Sequence, residues 1–299
     1  MQLFGYGKKF TFLELLFRKT NQLSICYIFI YLIIINIMKP HKIFFAFFLS
    51  VTLLASSCKK DKDEETPTPS VPAATSGSLA LHFENMVGDS ALVMNTESYV
   101  TANNDTITVS AFKYYISNIV LTKSGGGTYV ENESYHLIDA SDLLTGEFTL
   151  PNVPFGDYTG ITFMIGVDST RNVSGAQTGA LDPVNGMYMG MGAGYIQATL
   201  EGLSPQSTSG GHMFMYQVAG FQGIYNPLKT ISPTFSGGIA TVTSSVIPEI
   251  HFKTNLLEWF TTPNNISISA VSMVMSVNST SLNFADNYAD MISVEHIHN

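Results

Sequence analysis

Ile266-Ser-Ile-Ser-Ala-Val-Ser-Met-Val-Met275 alternates apolar and small polar residues, and this period of two is typical of a strand with one buried face. We predict a strand over residues 266–277. From Ser78 onward, other short runs rich in β-branched and aromatic residues recur between turn clusters. Amphipathic helical spacing is scarce, and residues 256–260 and 284–292 fit it best. The sequence therefore predicts an all-β fold, an antiparallel β-sandwich of about eight or more strands with one or two short helices.

The stretch before this β-rich region has the pattern of an export signal. Met38-Lys-Pro-His-Lys42 is basic, residues 43–54 are apolar, and Ala-Ser-Ser precedes Cys58. A cysteine behind small residues resembles the lipobox of bacterial lipoproteins, in which the thiol is acylated before the signal peptide is cleaved. We expect a lipoprotein signal peptide over residues 38–57 and a lipid on Cys58. The alternative is an uncleaved anchor with an incidental Cys58, although residues 43–54 are short for a membrane span.

The segments on either side of this signal are not part of the β-rich domain. Residues 1–37 hold a further apolar run upstream of a complete signal peptide, which favours a wrongly chosen start codon over an additional apolar anchor. Residues 58–77 are a charged and then proline-rich tether. Lysine followed by acidic residues after Cys58 resembles the surface-export signal of Bacteroidetes lipoproteins. We expect an outer-membrane lipoprotein, at the cell surface or on the periplasmic face, with a folded domain over residues 78–299.

Composition and motifs exclude several classes of function. The formal net charge is −9, which argues against nucleic acid as a partner. The two cysteines, Cys26 and Cys58, both precede the domain, so no disulfide crosslinks it. No zinc-protease, nucleophile-elbow or phosphate-loop motif is present, and no histidine lies beside an evident nucleophile. We expect a protein that is not an enzyme.

Methionines recur at alternate positions in three places. The segment Gly186-Met-Tyr-Met-Gly-Met-Gly-Ala-Gly-Tyr195 would place Met187, Met189 and Met191 on one face of an extended strand. Shorter pairs occur at Met213 and Met215, which follow His212, and at Met273 and Met275. Thioether sulfur is a soft ligand that suits Cu(I), so these residues are candidates for a copper site. The alternative is that adaptable methionine side chains fill the core of the sandwich.

The C-terminal segment Val294-Glu-His-Ile-His-Asn299 offers two imidazoles. His296 and His298 would lie on one face of a strand and could bind one metal ion, whereas Glu295 would point away. Two histidines leave a divalent site incomplete, so a third ligand is needed from His212, His251, His82 or an acid. A solvated tail without metal is the alternative.

Several segments together resemble the methanobactin-associated copper-binding (MbnP-like) family of exported β-sandwich proteins. They follow one another from the first predicted strand onward. The segments are Leu81-His-Phe-Glu-Asn85, Phe112-Lys-Tyr-Tyr-Ile-Ser-Asn-Ile-Val-Leu121, Tyr158-Thr-Gly-Ile-Thr-Phe-Met-Ile-Gly-Val-Asp168, and Leu181-Asp-Pro-Val-Asn-Gly-Met-Tyr188, which leads to Gly194-Tyr195 and Leu200-Glu-Gly202.

The resemblance implies a copper site made of a Trp-x-Trp or Trp-x-His element after Gly-Met-Tyr and a histidine on a later strand. In some members a partner dihaem peroxidase oxidises a tryptophan to kynurenine. Here Met189 and Met191 stand at the aromatic positions, and Gln217 stands where histidine is expected. The single tryptophan, Trp259, lies elsewhere, which argues against a kynurenine-based site.

Two outcomes follow from these departures. In the first, Met189 and Met191 replace the lost ligands and bind copper with His212 or Met215. With Gln217 and the C-terminal pair added, the candidate metal ligands of the chain are Met189, Met191, His212, Met215, Gln217, His296 and His298. In the second, the copper site is lost, and the sandwich is a non-catalytic module that binds a protein partner or a glycan. A dihaem peroxidase and a TonB-dependent receptor are the partners that the family resemblance implies.

Overall fold

The computed structural model describes residues 74–190 and 192–299. The segment 1–37, the signal peptide 38–57, the lipidated Cys58 and most of the tether lie outside these residues. Within them, no helix has both the length and the apolar character needed to cross a membrane.

Strands are the main regular structure of the described residues, with short helices between some of them. The strands, numbered in chain order, are β1 (Ser76–Val87), β2 (Ser90–Ala91), β3 (Tyr99–Val100), β4 (Thr106–Lys123), β5 (Thr128–Val130), β6 (Tyr135–Asp139), β7 (Glu147–Pro154), β8 (Gly156–Ile165), β9 (Ile196–Leu203), β10 (Met213–Ala219), β11 (Lys229–Ile231), β12 (Ala240–Val242), β13 (Glu249–Asn255), β14 (Met273–Val274) and β15 (Ile292–His298). The α-helices are α1 (Ser169–Val173) and α2 (Ser279–Tyr288), and 3-10 turns cover Leu143–Gly146, Gly179–Leu181, Pro183–Asn185, Gly210–His212 and Leu256–Phe260.

The strands form two sheets that enclose one main core. The first has the order β15-β13-β1-β2, with β7 also paired to β1. The second has the order β11-β8-β4-β9-β10-β14, with β12 on β8 and with β3, β5 and β6 on β4. This arrangement confirms the predicted all-β sandwich with short helices. Two pairs are nevertheless parallel, β1 with β13 and β10 with β14, where we expected antiparallel pairing alone.

Aromatic side chains from both sheets meet in the core. Phe83 on β1 stacks on Phe252 on β13, with ring centroids 4.5 Å apart. Both contact Phe163 on β8 edge to face, at 5.9 and 5.8 Å. All three rings are buried. Since a buried phenylalanine stabilises the fold by about 1.5–3 kcal/mol, this contact is a substantial part of what holds the sheets together.

The segment with the clearest alternation is not one continuous strand. Ile266 and Ile268 are buried as the pattern requires, but a turn covers residues 268–270 and only Met273–Val274 pairs as β14. The buried carboxylate of Asp105 accepts a hydrogen bond from the backbone N–H of Ile268 at 2.8 Å. Because that N–H is bonded to a side chain, the segment leaves the sheet and the predicted strand 266–277 is wrong over most of its length.

The helix near the C-terminus begins earlier than its apolar spacing predicts. Asn278 caps α2, accepting a hydrogen bond from the Ser281 N–H, and the Ser281 hydroxyl accepts one in return from the Asn278 N–H. This reciprocal cap starts the helix at Ser279, five residues before the predicted 284–292 segment. The helix ends at Tyr288 and leads directly into β15.

Candidate metal centre

The outer side of the first sheet carries a group of histidines that we call the histidine face: His82 on β1, Glu249 and His251 on β13, and His296 and His298 on β15. Residues of β1 and β13 alternate between half-buried outward positions and buried inward ones. Leu81, Phe83, Ile250 and Phe252 form the buried inward set. The alternation therefore fixes the ligand side chains on the solvent side of a packed core.

Strand register brings the histidines into one row. His82 pairs with His251 across the parallel β1–β13 ladder, and His251 pairs with His296 across the antiparallel β13–β15 ladder. The ring centroid of His251 lies 4.8 Å from that of His82 and 4.2 Å from that of His296. His298 pairs with Glu249, and its ring lies 5.1 Å from His251 and 4.6 Å from His296.

Two sets of three ligands share His251. In the first set, one ring nitrogen from each of His251, His296 and His298 lies within 4.8 Å of the other two. In the second set, one ring nitrogen from His82, one from His251 and a carboxylate oxygen of Glu249 also lie within 4.8 Å of one another. Metal–nitrogen bonds of about 2.0–2.1 Å place the ligands of a tetrahedral ion roughly 3.3 Å apart. Small side-chain rotations would therefore close either set around a divalent ion.

The Nε2 atom of His251 is the most constrained atom of the face. It is buried, and among the described residues it has no hydrogen-bond partner. The Glu249 carboxylate lies 3.3 Å from it without hydrogen-bond geometry, and its other oxygen lies 3.5 Å from Nδ1 of His82. A buried ring nitrogen without a partner costs free energy, which a metal ion bound there would offset.

The same surroundings keep His251 neutral. Burial lowers the pKa of His251 below its ordinary value of 6.5, and the imidazoles of His296 and His82 lower it further, whereas Glu249 opposes them. A neutral imidazole has the free lone pair that a metal requires. The face is therefore prepared for a divalent cation near neutral pH.

One detail of β15 differs from the sequence prediction. His251 pairs with His296 and Phe252 with Val294, so Glu295 is an extra residue in the ladder. Such a bulge places two consecutive side chains on one side. Glu295 therefore points outward with His296, at 3.5 Å from its Nδ1, and forms an ion pair of 2.7 Å with Lys253. The expectation that Glu295 points away from the histidines is wrong.

The methionines after Gly186 occupy a different place. Met187 is buried, and Met189 packs against a second, smaller core with Tyr115, Tyr195 and Ala219. Met191 lies outside the described residues. The chain turns back here at Gly194. The Asn172 side-chain oxygen accepts a hydrogen bond from the Tyr195 N–H, and a Cβ on residue 194 would lie 2.0 Å from that oxygen, so only glycine fits at this position.

The later strand does not complete a site around Met189. Gln217 donates a hydrogen bond of 2.9 Å to Glu201, and the Thr199 hydroxyl donates one of 3.0 Å to the same oxygen. His212 is exposed next to the start of β10, seven residues before Ala219, which corresponds to roughly 23 Å along an extended strand. The described residues therefore do not join Met189 and His212 in one ligand set, and Gln217, which stands where the family resemblance expects a histidine, is bonded to Glu201.

Sequence reasoning named His296 and His298 as ligands and left the third ligand open among His212, His251, His82 or an acid. The structure places His251 beside them, His82 one strand further along beside His251, and His212 in the turn before β10 of the second sheet. It adds Glu249, which the sequence prediction missed, although Glu249 lies two residues before His251 and alternation alone puts both on one face. Trp259 is buried against Phe284 and Tyr288 in the core.

Comparisons with known proteins give one family. No curated protein matches the chain. Among solved structures, MbnP from Methylosinus trichosporium is similar at 13% sequence identity with a TM-score of 0.47, and the match covers 68% of this chain and 82% of that one. The MbnP family model matches residues 76–278, which is more than half of the sequence. The resemblance read from the sequence is confirmed, and the chain belongs to the MbnP family.

Proposed function

We propose that this protein is a non-catalytic, lipid-anchored metal-binding protein of the outer membrane and that it holds its ion, copper, at the histidine face. The observation that carries the proposal is the convergence of His251, His296 and His298 within 4.8 Å around a buried nitrogen without a hydrogen-bond partner. Membership of a family associated with copper handling supports a role with metal in general. The anchor rests on the lipobox at Cys58.

The donor set favours copper among the common divalent ions. Imidazole is a good ligand for both copper and zinc, and the usual order of affinity places Cu²⁺ above Zn²⁺. The two exposed rings, His296 and His298, give the ion access from solvent, while the half-buried His251 fixes its position. Lys253, the nearest cation on β13, is paired with Glu295 and so its charge is partly neutralised.

Titration of the purified protein with Cu²⁺ and with Zn²⁺ tests the site. We expect one equivalent to bind with micromolar or tighter affinity and His251→Ala to weaken it about 100-fold, because loss of even an outer-shell partner of a metal costs 10–100-fold. His212→Asn is the matched control, since asparagine tolerates the positive φ of 56° found there and the residue lies in the turn before β10, away from the histidine face. Wild-type affinity in His251→Ala, or no binding in the wild type, contradicts the proposal.

Membrane fractionation tests the anchor separately. We expect the wild-type protein in the outer-membrane fraction and Cys58→Ala to be lost from that fraction, because without acylation the signal peptide is not cleaved and its apolar segment retains the protein at the inner membrane. An unchanged distribution of Cys58→Ala contradicts the anchor and leaves the metal site unaffected.

A further inference from the structure

The outer side of the second sheet carries a second unusual surface, which we call the methionine face: Met213 and Met215 on β10, Met273 on β14, and Met275 just after it. Met215 and Met273 are direct neighbours in the parallel β10–β14 ladder. The two methionine pairs, far apart in sequence, are thus adjacent in the fold. Neighbouring strands lie about 4.7–4.9 Å apart, so the two thioether side chains are within reach of each other.

These methionines are held outward by buried neighbours. Phe214, Tyr216 and Val274 alternate with them and lie in the core. The Tyr216 hydroxyl donates a hydrogen bond of 2.7 Å to the Val271 carbonyl, and the Met215 N–H donates one of 3.0 Å to the Ser272 carbonyl. The backbone at Met215 and Met273 is therefore held by these bonds, and the two side chains project from a rigid support.

Core filling does not explain this set. Met213, Met273 and Met275 are each 46% exposed, so a large part of each side chain contacts water instead of protein. A core methionine such as Met187, at 1% exposure, shows what the fold does with a methionine that it uses for packing. Exposed apolar side chains that cluster in this way mark a binding surface.

The chemistry of the surface points to a soft cation. Thioether sulfur prefers Cu(I) over divalent ions, and every side chain of the set is a thioether. Glu201 is the ladder partner of Met215 on its other side, so a carboxylate lies beside the sulfurs on β9. A negative charge at this position attracts a cation and would disfavour an anionic partner.

We propose that the methionine face binds Cu(I), with Met215 and Met273 as the central ligands and Met213 and Met275 as the flanking ones. This site is separate from the histidine face in residues, in sheet and in the type of donor atom. The proposal does not depend on the histidine face binding metal.

Anaerobic competition between the protein and a Cu(I) chelator tests the site. Met215→Leu/Met273→Leu keeps nearly the same volume and apolar area but removes the sulfur, so it separates ligation from simple hydrophobic contact. We expect it to weaken Cu(I) binding at least about tenfold. The double variant Met94→Leu/Met164→Leu, at half-buried methionines elsewhere, is the matched control and should bind as the wild type does.

A second measurement covers the case in which that variant does not fold. Protein labelled at its methionine methyl carbons and titrated with Ag(I), a soft substitute for Cu(I), should show shifted methyl resonances for Met213, Met215, Met273 and Met275. The resonances of Met94 and Met164 should not move. Wild-type Cu(I) affinity in the leucine variant, no Cu(I) binding by the wild type, or silver shifts at other methionines would overturn the proposal.

Discussion

The histidine face and the methionine face are built by the same device and differ in their donor atoms. In each, strand alternation buries every second residue and projects the others from a rigid sheet. The first sheet projects imidazoles and a carboxylate, and the second projects thioethers. Because borderline nitrogen and soft sulfur ligands select different ions, one scaffold can offer divalent metal and Cu(I) separate places without any change of backbone.

The two faces also differ in how completely they are formed. On the histidine face, the rings already lie 4.2–5.1 Å apart, and the buried Nε2 of His251 has no hydrogen-bond partner among the described residues. On the methionine face, unbranched side chains with three rotatable bonds are 46% exposed at three of four positions. Rigid ligands favour affinity through preorganisation, whereas mobile ligands favour rapid exchange.

Replacing the exposed imidazoles should give the largest difference between the metal responses of the two faces. His296→Ala/His298→Ala should weaken Cu²⁺ and Zn²⁺ binding by about 100-fold or more, because two of three nitrogen ligands are lost. The same variant should leave the silver-induced methyl shifts of Met215 and Met273 unchanged. Titration with both ions in parallel measures this, and a loss of both responses would show that the faces are coupled.

Replacing Glu249 is expected to have an intermediate effect. Glu249→Gln removes the carboxylate charge beside His82 and His251, and we expect divalent affinity to fall about tenfold, as for outer partners of metal ligands. The control is Glu84→Gln, because Glu84 lies on the same side of β1 as His82 but belongs to neither ligand set. Equal affinities of the two variants would remove Glu249 from the site.

Acidification should give the smallest effect, on the apo protein alone. Since the pKa of His251 is lowered on folding, the unfolded chain binds more protons than the native protein once the pH falls below 6.5. The contribution of the neutral His251 imidazole to stability is therefore complete above that pH and is lost as the pH decreases through 6.5. Denaturant unfolding in the presence of a chelator should show a smaller loss between pH 7.5 and 5.5 in His251→Gln than in the wild type. An equal loss would contradict this assignment.

The sequence predicted local features well and non-local ones poorly. Alternation predicted that His296 and His298 share a face, because a period of two needs only neighbouring residues. The Glu295 bulge depends on which β13 residues pair with β15, and no local pattern contains that information. The strand over residues 266–277 failed for a similar reason, since the Asp105 carboxylate that interrupts it comes from a distant loop.

The composition of both faces depends on parallel pairs that the sequence did not predict. His82 reaches His251 through the β1–β13 ladder, and Met273 reaches Met215 through the β10–β14 ladder. The side chains could be named as metal ligands from their chemistry alone. Their grouping required the strand order, and for that reason the expected set of Met189 with His212 was not found.

The position of the histidine strands along the chain has a consequence for biogenesis. β13 carries His251 and β15 carries His296 and His298, and these ligands meet only after the two strands have paired. In the unfolded chain, His296 follows His251 by 45 positions, and closing so long a loop costs entropy that only the finished fold repays. The proposed export would therefore deliver an unfolded chain without metal at this face, and the ion would bind only after folding.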